Sequence, residues 1–494
     1  MNQATSIEPG IEPGIESGAL TSSIEATKKV LNEAYGRQRD AYLANPYPDY
    51  AQRKHDLLTL KRMIAENREA IIEAIGEDYG NRSDFESKFA EIITATDTVS
   101  HTIKHLKSWM KPQRRSIDLT MYFGAKNRLI PQPLGVTGLI IPWNFPVNLT
   151  VCQLTAVFAA GNRAMVKMSE NSIALSRLMK SISPRYFPVE KLEFFEETGG
   201  VGVEFSQLPF DLIIFTGSGA TGRKVMASAA QNLTPVILEL GGKAPAVIDP
   251  SFPLQKAVER ILFVKRFNAG QICTNVDYVF VHKTQIEAFV TLTKEWAAKH
   301  CPDINADDYT SIIDDRSFKR LQDTLTDATD KGARIVPLSQ QEPNAQARKM
   351  PLHLVLDTQP DMTIRERETF GPLLMVLPYE RPEEVIDYVN SHDRPLALYP
   401  FSNNTALVER YIERIMSGGV TVNDALFHVA QHDLPFGGVG PSGMGHYHGY
   451  EGFTACSKMR PVFYQAKRTA MTLMTPPYSK FANKMIDLLV KMKS

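Results

Sequence analysis

The chain has 494 residues, of which 43% are hydrophobic and 22% are charged. At roughly 100–200 residues per domain, this length predicts about three domains, and the composition is typical of a folded globular protein. Lysine plus arginine and aspartate plus glutamate both total 55, so the formal net charge is zero. This balance argues against nucleic acid, or an anionic membrane, as a partner attracted by overall charge.

The N-terminus contains a short repeat at residues 7–18, in which each unit begins with Ile-Glu and ends in glycine. No lysine or arginine precedes Lys28 and the segment has no apolar core, so it lacks the features of a secretory signal. We predict a disordered tail at residues 1–20. Beyond it, Ser22 and Glu25 form a capping-box pattern that predicts the start of a helical region.

Helical spacing of apolar residues continues to about Lys111. Beyond Pro131, short apolar runs alternate with helical stretches, which predicts parallel strands covered on both faces by helices, the doubly wound α/β class. The predicted strands are residues 136–141, 164–168, 212–215, 236–240, 279–281 and 373–376. One more strand is predicted at 418–422, where Val420 and Val422 alternate with other residues.

Two stretches raise the question of a membrane. Residues 129–162 are uncharged, but their prolines and polar side chains argue against a spanning helix. Residues 479–494 place apolar side chains at helical spacing among lysines, which predicts an amphipathic helix. We favour a helix that docks on the protein or on a second copy. A helix lying on a membrane surface is the alternative.

A glycine-rich turn follows the predicted strand at 212–215. Gly217, Gly219 and Gly222 have the spacing G-x-G-x-x-G, and backbone amides at such a turn can bind a pyrophosphate. An ordinary glycine-rich turn is the alternative. The dinucleotide fingerprint also has an acidic residue about 20 residues further on, which binds the ribose. Glu239 stands at that distance.

Glu239 has two other interpretations. It lies at the end of an apolar strand and is followed by Leu240, Gly241 and Gly242. A carboxyl group in such a setting can have a raised pKa and act as a general base. Alternatively, it is a strand-end glutamate held in a salt bridge.

The four cysteines are too scattered for a disulfide framework and form no C-x-x-C pair, which favours a reducing compartment, the cytoplasm. Cys273 lies in a small, polar, glycine-containing segment, where a nucleophile can be exposed. Cys152, Cys301 and Cys456 have no such surroundings, and we predict that they are structural.

Asn144 lies at the centre of the segment Pro-Trp-Asn-Phe-Pro at residues 142–146. The two prolines restrict the backbone around an asparagine whose side-chain amide can donate two hydrogen bonds. A rigid amide donor is suited to stabilising an oxyanion. An asparagine that only holds its own turn is the alternative.

Five separated segments resemble motifs of the aldehyde dehydrogenase family, in that family's order. They are residues 142–146, 215–218, 239–243, 270–273 and 368–372. The resemblance extends over about residues 25–460. It implies a Rossmann-type NAD-binding domain, an α/β catalytic domain and a small β oligomerisation element.

The resemblance implies that Cys273 is the nucleophile and Glu239 the general base. Asn144 and the backbone N–H of Cys273 would form the oxyanion hole. The thiolate would attack the aldehyde carbon, the thiohemiacetal would pass hydride to the nicotinamide, and water activated by Glu239 would hydrolyse the thioester. In this interpretation Glu239 is not the ribose acid.

The resemblance also implies a set of cofactor-binding residues. They are Trp143, Lys167, Glu170, Gly217, Ser218, Gly222, Glu368 and Phe370. Lys167 and Glu170 match contacts to the adenine ribose. The Glu170 carboxylate would repel a 2′-phosphate, which favours NAD, while NADP remains open because Lys167 can offset that repulsion.

The implied organisation is one of several domains and a homodimer. The NAD-binding domain would comprise 21–117 and 136–240, the catalytic domain 241–416, the oligomerisation element 118–135 and 417–460, and a C-terminal tail with a helix 461–494. No metal site is expected, because His101 with His105 and His446 with His448 lack a third ligand at metal spacing.

Residues 434–449 resemble the class 3 group of the family, and residues 423–431 are most similar to bacterial coniferyl aldehyde dehydrogenases. A phenolic aldehyde such as coniferyl aldehyde is therefore the favoured substrate. A medium- or long-chain fatty aldehyde is the alternative within the family. A cysteine-dependent esterase without hydride transfer is the alternative from another class.

Overall fold

The computed structural model of the protein describes residues 15–494. Its N-terminal part is helical, as the apolar spacing before Lys111 predicted. The helices are α1 (Ile15–Ala44), α2 (Tyr50–Glu66), α3 (Arg68–Tyr79), α4 (Asp84–Ser87) and α5 (Thr94–Trp109). A π-helical segment, Lys88–Ile93, joins α4 to α5.

Helix α1 begins before the predicted position. It runs through Ser22, so the predicted helix start at the capping box was wrong, and residues 15–20 of the predicted tail are helical. The first two repeat units contain a proline where the third has Ser17, so the third unit can join the helix without losing a backbone donor. The rest of the predicted tail, residues 1–14, lies outside the described residues.

A six-stranded sheet forms the first large α/β layer, in the order β15-β7-β6-β3-β4-β5. Two earlier strands, β1 (Gln113–Arg115) and β2 (Lys126–Pro133), belong to a separate sheet. The strands of the large sheet are β3 (Val136–Ile140), β4 (Arg163–Lys167), β5 (Leu192–Phe195), β6 (Leu212–Gly217), β7 (Val236–Leu240) and β15 (Gly443–Met444). Its helices are α6 (Pro146–Ala160), α7 (Ile173–Ile182), α8 (Val201–Ser206) and α9 (Gly219–Ala230). All neighbouring strands are parallel except the edge strand β15.

A seven-stranded sheet follows. Its strands are β8 (Ala244–Ile248), β9 (Val276–His282), β10 (Arg334–Pro337), β11 (His353–Leu356), β12 (Leu373–Tyr379), β13 (Ala397–Phe401) and β14 (Gly419–Val420). Their order in the sheet is β10-β11-β12-β9-β8-β13-β14. Its helices are α10 (Leu254–Arg266), α11 (Ile286–His300), α12 (Asp315–Asp330), α13 (Thr363–Glu366), α14 (Pro382–Asn390) and α15 (Thr405–Arg414). Strand β14 ends at Val420, two residues short of the prediction.

A third, smaller sheet is antiparallel and pairs β1, β2 and β16 (Ser457–Tyr464), the last of which follows α16 (Gly449–Ala455). Two other short strands within the predicted oligomerisation residues, β14 and β15, pair with the large sheets instead. The domain boundaries therefore stay a prediction. The C-terminal helix α17 (Lys480–Lys493) forms with Ser479 as its N-cap, but only its Ala482 is buried.

The two large sheets meet where β7 ends at Leu240 and β8 begins at Ala244. At this junction, the carboxyl ends of the parallel strands of the first sheet face the two chain segments that immediately precede β9 and β12. The doubly wound α/β prediction is confirmed. Within residues 15–494, no helix is both long and apolar enough to cross a membrane.

Candidate active site

Asn144 occupies the turn between β3 and α6, and its side chain is 3% exposed. Its backbone oxygen accepts hydrogen bonds from the Tyr79 hydroxyl at 3.1 Å and the Asn268 amide at 3.2 Å. One N–H of its own amide donates to the Gln271 carbonyl at 3.3 Å. Because an amide carries two N–H donors, the second is available to an oxyanion beside the loop that carries Cys273.

The loop before Cys273 is held in an unusual conformation. Asn268, Ala269 and Gly270 all have positive φ angles, of 51°, 50° and 74°. A Cβ on Gly270 would lie 2.4 Å from the carbonyl oxygen of Gly371, so only glycine fits there without backbone movement. Left-handed non-glycine residues cost free energy and concentrate at functional sites. Tertiary contacts therefore determine this loop's shape.

Cys273 differs from the other three cysteines in exposure. All four are free thiols, but only Cys273 is half-buried, whereas Cys152, Cys301 and Cys456 are buried. Burial raises the pKa of Cys152 and Cys456 to about 12 and that of Cys301 to about 11. These three buried thiols are the ones that the sequence predicted to be structural.

The pKa of Cys273 is raised well above its usual value, chiefly by desolvation and then by the carboxyl groups of Glu239 and Glu368. The thiol is therefore neutral at rest, and formation of the nucleophilic thiolate requires a base.

Glu239 lies near the end of β7 with 1% of its surface exposed. Its Oε1 atom has no hydrogen-bond partner within the described chain, and no basic side chain there forms an ion pair with it. The salt-bridge interpretation was therefore wrong. Burial raises the pKa of Glu239 to about 8, and hydrogen bonds from Cys273 and Tyr447 partly oppose that rise. These are the properties of a general base that faces the thiol.

Tyr447 was missed as a site residue by the sequence reasoning. It is fully buried, and its hydroxyl donates to Oε2 of Glu239 at 3.5 Å. The backbone N–H and C=O of Tyr447 also pair with Phe436. Because 208 residues separate Tyr447 from Glu239, no local pattern links the two.

The glycine-rich turn differs from the predicted pattern in its details. Helix α9 begins at Gly219, and Ser218 caps it by accepting the Thr221 N–H at 3.3 Å. Gly222 is buried, and a Cβ there would lie 2.7 Å from the Leu240 side chain. Gly222 therefore allows close packing of α9 on the sheet. Gly217 and Ser218 lie at the end of β6 beside the N-terminus of α9, where a pyrophosphate would be stabilised.

Lys167 ends β4 and is 6% exposed. Its ammonium lies 2.8 Å from Oε2 of Glu197 and 4.0 Å from Oε2 of Glu170. The Glu197 carboxylate also accepts the N–H groups of Val201 and Gly202, both at 2.9 Å. Glu197 was not singled out from the sequence. Its contacts fix Lys167 beside the largely exposed carboxylate of Glu170.

Glu368 and Phe370 lie opposite the turn that carries Asn144, just before β12. A Cβ on Gly241 would lie 2.1 Å from a Glu368 oxygen, so the carboxyl group packs on the Gly241 backbone. Burial, followed by the charge of Asp277, raises the pKa of Glu368 to about 8. Phe370 has a φ of 43° and packs edge-on against Trp143, with ring centroids 5.5 Å apart.

The sequence-predicted residues thus form two groups. Asn144, Glu239, Cys273 and Glu368 converge at the junction of the large sheets, whereas Lys167 and Glu170 lie along the carboxyl edge of the first sheet. Such an arrangement fits a dinucleotide whose nicotinamide end approaches a thiol. Within residues 15–494, no group of three histidine, cysteine or acidic side chains is placed to hold a metal ion.

Residues 6–462 match the pattern of the family described as "Aldehyde dehydrogenase family". The chain belongs to the aldehyde dehydrogenase family. A probable coniferyl aldehyde dehydrogenase of Pseudomonas aeruginosa is 46% identical over 457 residues, covering 92% of this chain and 95% of that protein. A coniferyl aldehyde dehydrogenase of a Pseudomonas species is 39% identical over 465 residues, covering 93% and 96%.

Solved structures of aldehyde dehydrogenases share the fold. AldH of Staphylococcus aureus, in a substrate-bound state, superposes with a TM-score of 0.87 at 30% identity, covering 93% of this chain and 99% of that one. An NAD⁺ complex of an aldehyde dehydrogenase from Bacillus cereus has a TM-score of 0.81 at 24% identity, covering 89% of each chain, which shows the fold alone. The predicted family and fold are confirmed, and this aldehyde dehydrogenase oxidises aldehydes with NAD(P).

Proposed function

We propose that the chain oxidises a phenolic aldehyde such as coniferyl aldehyde to its acid, with NAD as the preferred cofactor. The observation that carries this proposal is the convergence of Cys273, Glu239 and Asn144, each with the chemistry its role requires. The half-buried thiol lies beside a carboxyl group of raised pKa and near Asn144, whose backbone oxygen accepts two hydrogen bonds and whose side-chain amide donates one.

The first step is attack of Cys273 Sγ on the aldehyde carbon. Because Glu239 is the buried carboxylate facing the thiol, it is the group that holds the proton as the thiolate forms. The carbonyl oxygen becomes an oxyanion, and the free N–H of the Asn144 amide and the backbone N–H of Cys273 stabilise it. Preorganised donors of this kind act most strongly where water is excluded.

When bound, the nicotinamide of NAD supplies the hydride acceptor that the oxidation needs. Glu368, Phe370 and Trp143 form the wall against which that ring would be oriented. The thioester then left on Cys273 requires water for hydrolysis. Once Glu239 has released the thiol proton to solvent, it removes a proton from that water and passes it to the Cys273 thiolate as the thioester bond breaks. The Asn144 amide again stabilises the oxyanion until the acid leaves.

The substrate assignment is supported by aromatic side chains around the nucleophile loop. Phe145 and Phe267 stack with centroids 6.4 Å apart, and Phe263 packs against both Phe267 and Phe427. Planar aromatic substrates bind well to such surfaces through stacked and edge-on contacts. The two Pseudomonas relatives are named as a probable coniferyl aldehyde dehydrogenase and a coniferyl aldehyde dehydrogenase, which also supports a phenolic substrate. A fatty aldehyde is the alternative within the family.

Absorbance of the reduced nicotinamide tests the function directly, with coniferyl, benzyl and long-chain aldehydes at equal concentration. We expect kcat/KM to be highest for coniferyl aldehyde. Cys273→Ala should abolish oxidation while NAD still binds, as measured by quenching of protein fluorescence. Turnover retained in Cys273→Ala would refute the mechanism, and a higher kcat/KM for the long-chain aldehyde would refute the substrate assignment.

The preference for NAD is supported by the ion pair of Lys167. Because Glu197 already compensates the Lys167 charge at 2.8 Å, little of that charge is available for a 2′-phosphate, and the nearby Glu170 carboxylate repels one. We expect Glu170→Gln to raise kcat/KM for NADP while changing that for NAD less. An unchanged ratio of the two values would contradict this preference.

A homodimer and a cytoplasmic location complete the proposal. The small antiparallel sheet exposes the aromatic side chains of Phe463 and Tyr464 at its third strand, and aromatic residues are enriched at protein–protein interfaces. The four free thiols suit a reducing compartment. Light scattering coupled to size-exclusion chromatography should give twice the mass of one chain. A monomer at micromolar concentration would contradict the dimer.

A further inference from the structure

The π-helical segment between α4 and α5 carries a buried carboxylate that caps a helix from another part of the chain. Glu91 is fully buried, and its Oε2 accepts the backbone N–H groups of Val147 at 3.0 Å and Asn148 at 2.7 Å. These are free donors of the first turn of α6, whose own N-cap residue, Phe145, provides no side-chain cap. The α6 helix therefore depends on Glu91 for its N-terminal hydrogen bonds.

This cap lies directly beside the oxyanion turn. Asn144 is two residues before the first residue of α6, so the position of the helix start fixes the position of the asparagine backbone. Asn148 adds a second connection, because its side-chain amide donates to the Ala90 carbonyl at 2.6 Å. Glu91 is held in turn by Arg82, with Nη1 to Oε1 at 2.8 Å in a pair with no exposed surface.

A second buried carboxylate, one turn earlier, holds the nucleophile loop. Glu86 is 1% exposed, and its Oε2 accepts the Asn268 N–H at 2.9 Å and the Thr310 hydroxyl at 2.7 Å. Its Oε1 accepts Arg266 Nη1 at 3.0 Å. Asn268 is the first of the left-handed residues before Cys273 and also donates to the Asn144 carbonyl. One short segment thus contacts both halves of the oxyanion hole.

We propose that Glu91 and Glu86 are positioning residues for the oxyanion hole: Glu91 fixes the turn that carries Asn144, and Glu86 fixes the loop that carries Cys273. Neither touches the substrate or the reacting atoms. The π-helical geometry of Lys88–Ile93 fits this positioning role, because single π turns are frequent at functional sites. The inference rests on the proposed oxyanion role of Asn144.

The expected loss of kcat depends on how sensitive the reaction is to displacement of the groups that form the oxyanion hole. A shift of about 1 Å in a positioned group can cost about 100-fold in rate, and complete loss of one oxyanion donor costs about 100- to 1,000-fold in kcat. We therefore expect Glu91→Gln and Glu86→Gln each to lower kcat by about 10- to 100-fold. The NAD dissociation constant should stay within about twofold, because neither residue contacts the proposed cofactor residues.

A double-mutant cycle with Asn144→Ala separates positioning from a purely structural role. If Glu91 acts through Asn144, then Glu91→Gln should lower kcat by less than about threefold once Asn144 is already alanine. Glu86→Gln should keep its effect in that background, because Glu86 holds the loop that carries Cys273. All kcat values are expressed per NAD-binding site, counted by fluorescence titration, so that unfolded chains do not contribute.

A matched control is available in the Asp56–Lys191 pair, also buried, whose Oδ2 and Nζ are 2.7 Å apart away from the site. Asp56→Asn should lower the melting temperature and leave kcat per NAD-binding site unchanged. Should Glu91→Gln fail to fold because Arg82 loses its partner, Glu91→Asp keeps the charge but cannot reach both α6 amides. It is expected to show the same loss of kcat and the same non-additivity.

Two results overturn the inference. The first is wild-type kcat per NAD-binding site in the Glu91 and Glu86 variants while Asn144→Ala is impaired. The second is an equal fold-loss from Glu91→Gln with and without Asn144→Ala. A wild-type kcat in Asn144→Ala has a different meaning, because it removes the proposed oxyanion role itself and the positioning inference with it.

Discussion

The two large sheets contribute to the proposed active site in different ways. The six-stranded sheet supplies Lys167 and Glu239 from the ends of regular parallel strands, and Asn144 from the turn that follows β3. The seven-stranded sheet supplies Cys273 and Glu368 from irregular segments that precede its strands. Several residues of these segments, Phe370 among them, have positive φ angles.

The difference has a physical origin. A residue at the carboxyl end of a parallel strand is placed by the sheet itself, so its substitution should affect chemistry more than folding. A strained loop keeps its shape only where surrounding contacts over-determine it, so changes there should affect chemistry and stability together. The predictions below test that distinction.

The largest effect is expected at Glu239. Glu239→Gln removes the base that the proposed mechanism uses for the thiol and for water, and general bases contribute about 100- to 10,000-fold. We expect kcat to fall by that range with little loss of stability. Stopped-flow and steady-state absorbance of reduced nicotinamide give the rates. A kcat within threefold of wild type would contradict the role.

The pH dependence of the wild-type enzyme tests the same group. Because the pKa of Glu239 is raised to about 8, the ionised base is populated only as pH rises through that value, and kcat should rise with it. The stability effect has the opposite sign. The raised pKa stabilises the folded state below about 4.5, and this contribution is lost as pH rises through about 8. Glu239→Gln should therefore gain melting temperature relative to wild type towards alkaline pH.

Asn144→Ala tests the residue that the six-stranded sheet supplies from the turn after β3. Loss of one oxyanion donor should lower kcat by about 100- to 1,000-fold, with a smaller change in the KM for NAD. The measurement is kcat and KM at saturating concentrations of the second substrate. An effect on KM alone would instead indicate that Asn144 only shapes the aldehyde site.

Gly270→Ala tests the strained loop. The added Cβ would meet the Gly371 carbonyl at 2.4 Å at a φ of 74°, so we expect a loss of about 1–3 kcal/mol in unfolding free energy together with a loss of activity. Gly332→Ala is the matched control, because its φ is 89° and nothing lies within 4 Å of the new Cβ. Urea unfolding of both variants separates backbone strain from the clash. Equal destabilisation would show that the contact with Gly371 is unimportant.

The smallest effect is expected at a buried cysteine. Cys456→Ala removes a fully buried side chain far in sequence from the nucleophile, so it should lower stability by only about 1–2 kcal/mol and leave kcat unchanged. Alkylation of the wild-type enzyme should inactivate it after one thiol per chain is modified. Mass spectrometry should find that label on Cys273.

Much of the architecture was predictable from the sequence. Parallel strands and their helices have strong periodic patterns, and the strands at 136–140, 163–167, 212–217 and 236–240 lie where the apolar runs predicted them. The start of α1 was not predictable in the same way. A capping box is a local signal, and the helix continues through it because no proline interrupts the third repeat.

By itself, the sequence determined the fold class and the family. It also predicted the reactive groups, because the surroundings of Cys273, Glu239 and Asn144 are local and chemically unusual. Only the tertiary structure decided which groups hold them. Tyr447 reaches Glu239 across 208 residues, Glu86 reaches Asn268 across 182, and Glu91 reaches Val147 across 56. The periodicity of apolar residues predicts which face of a helix or strand is buried. Contacts between distant segments arise only when those faces pack together.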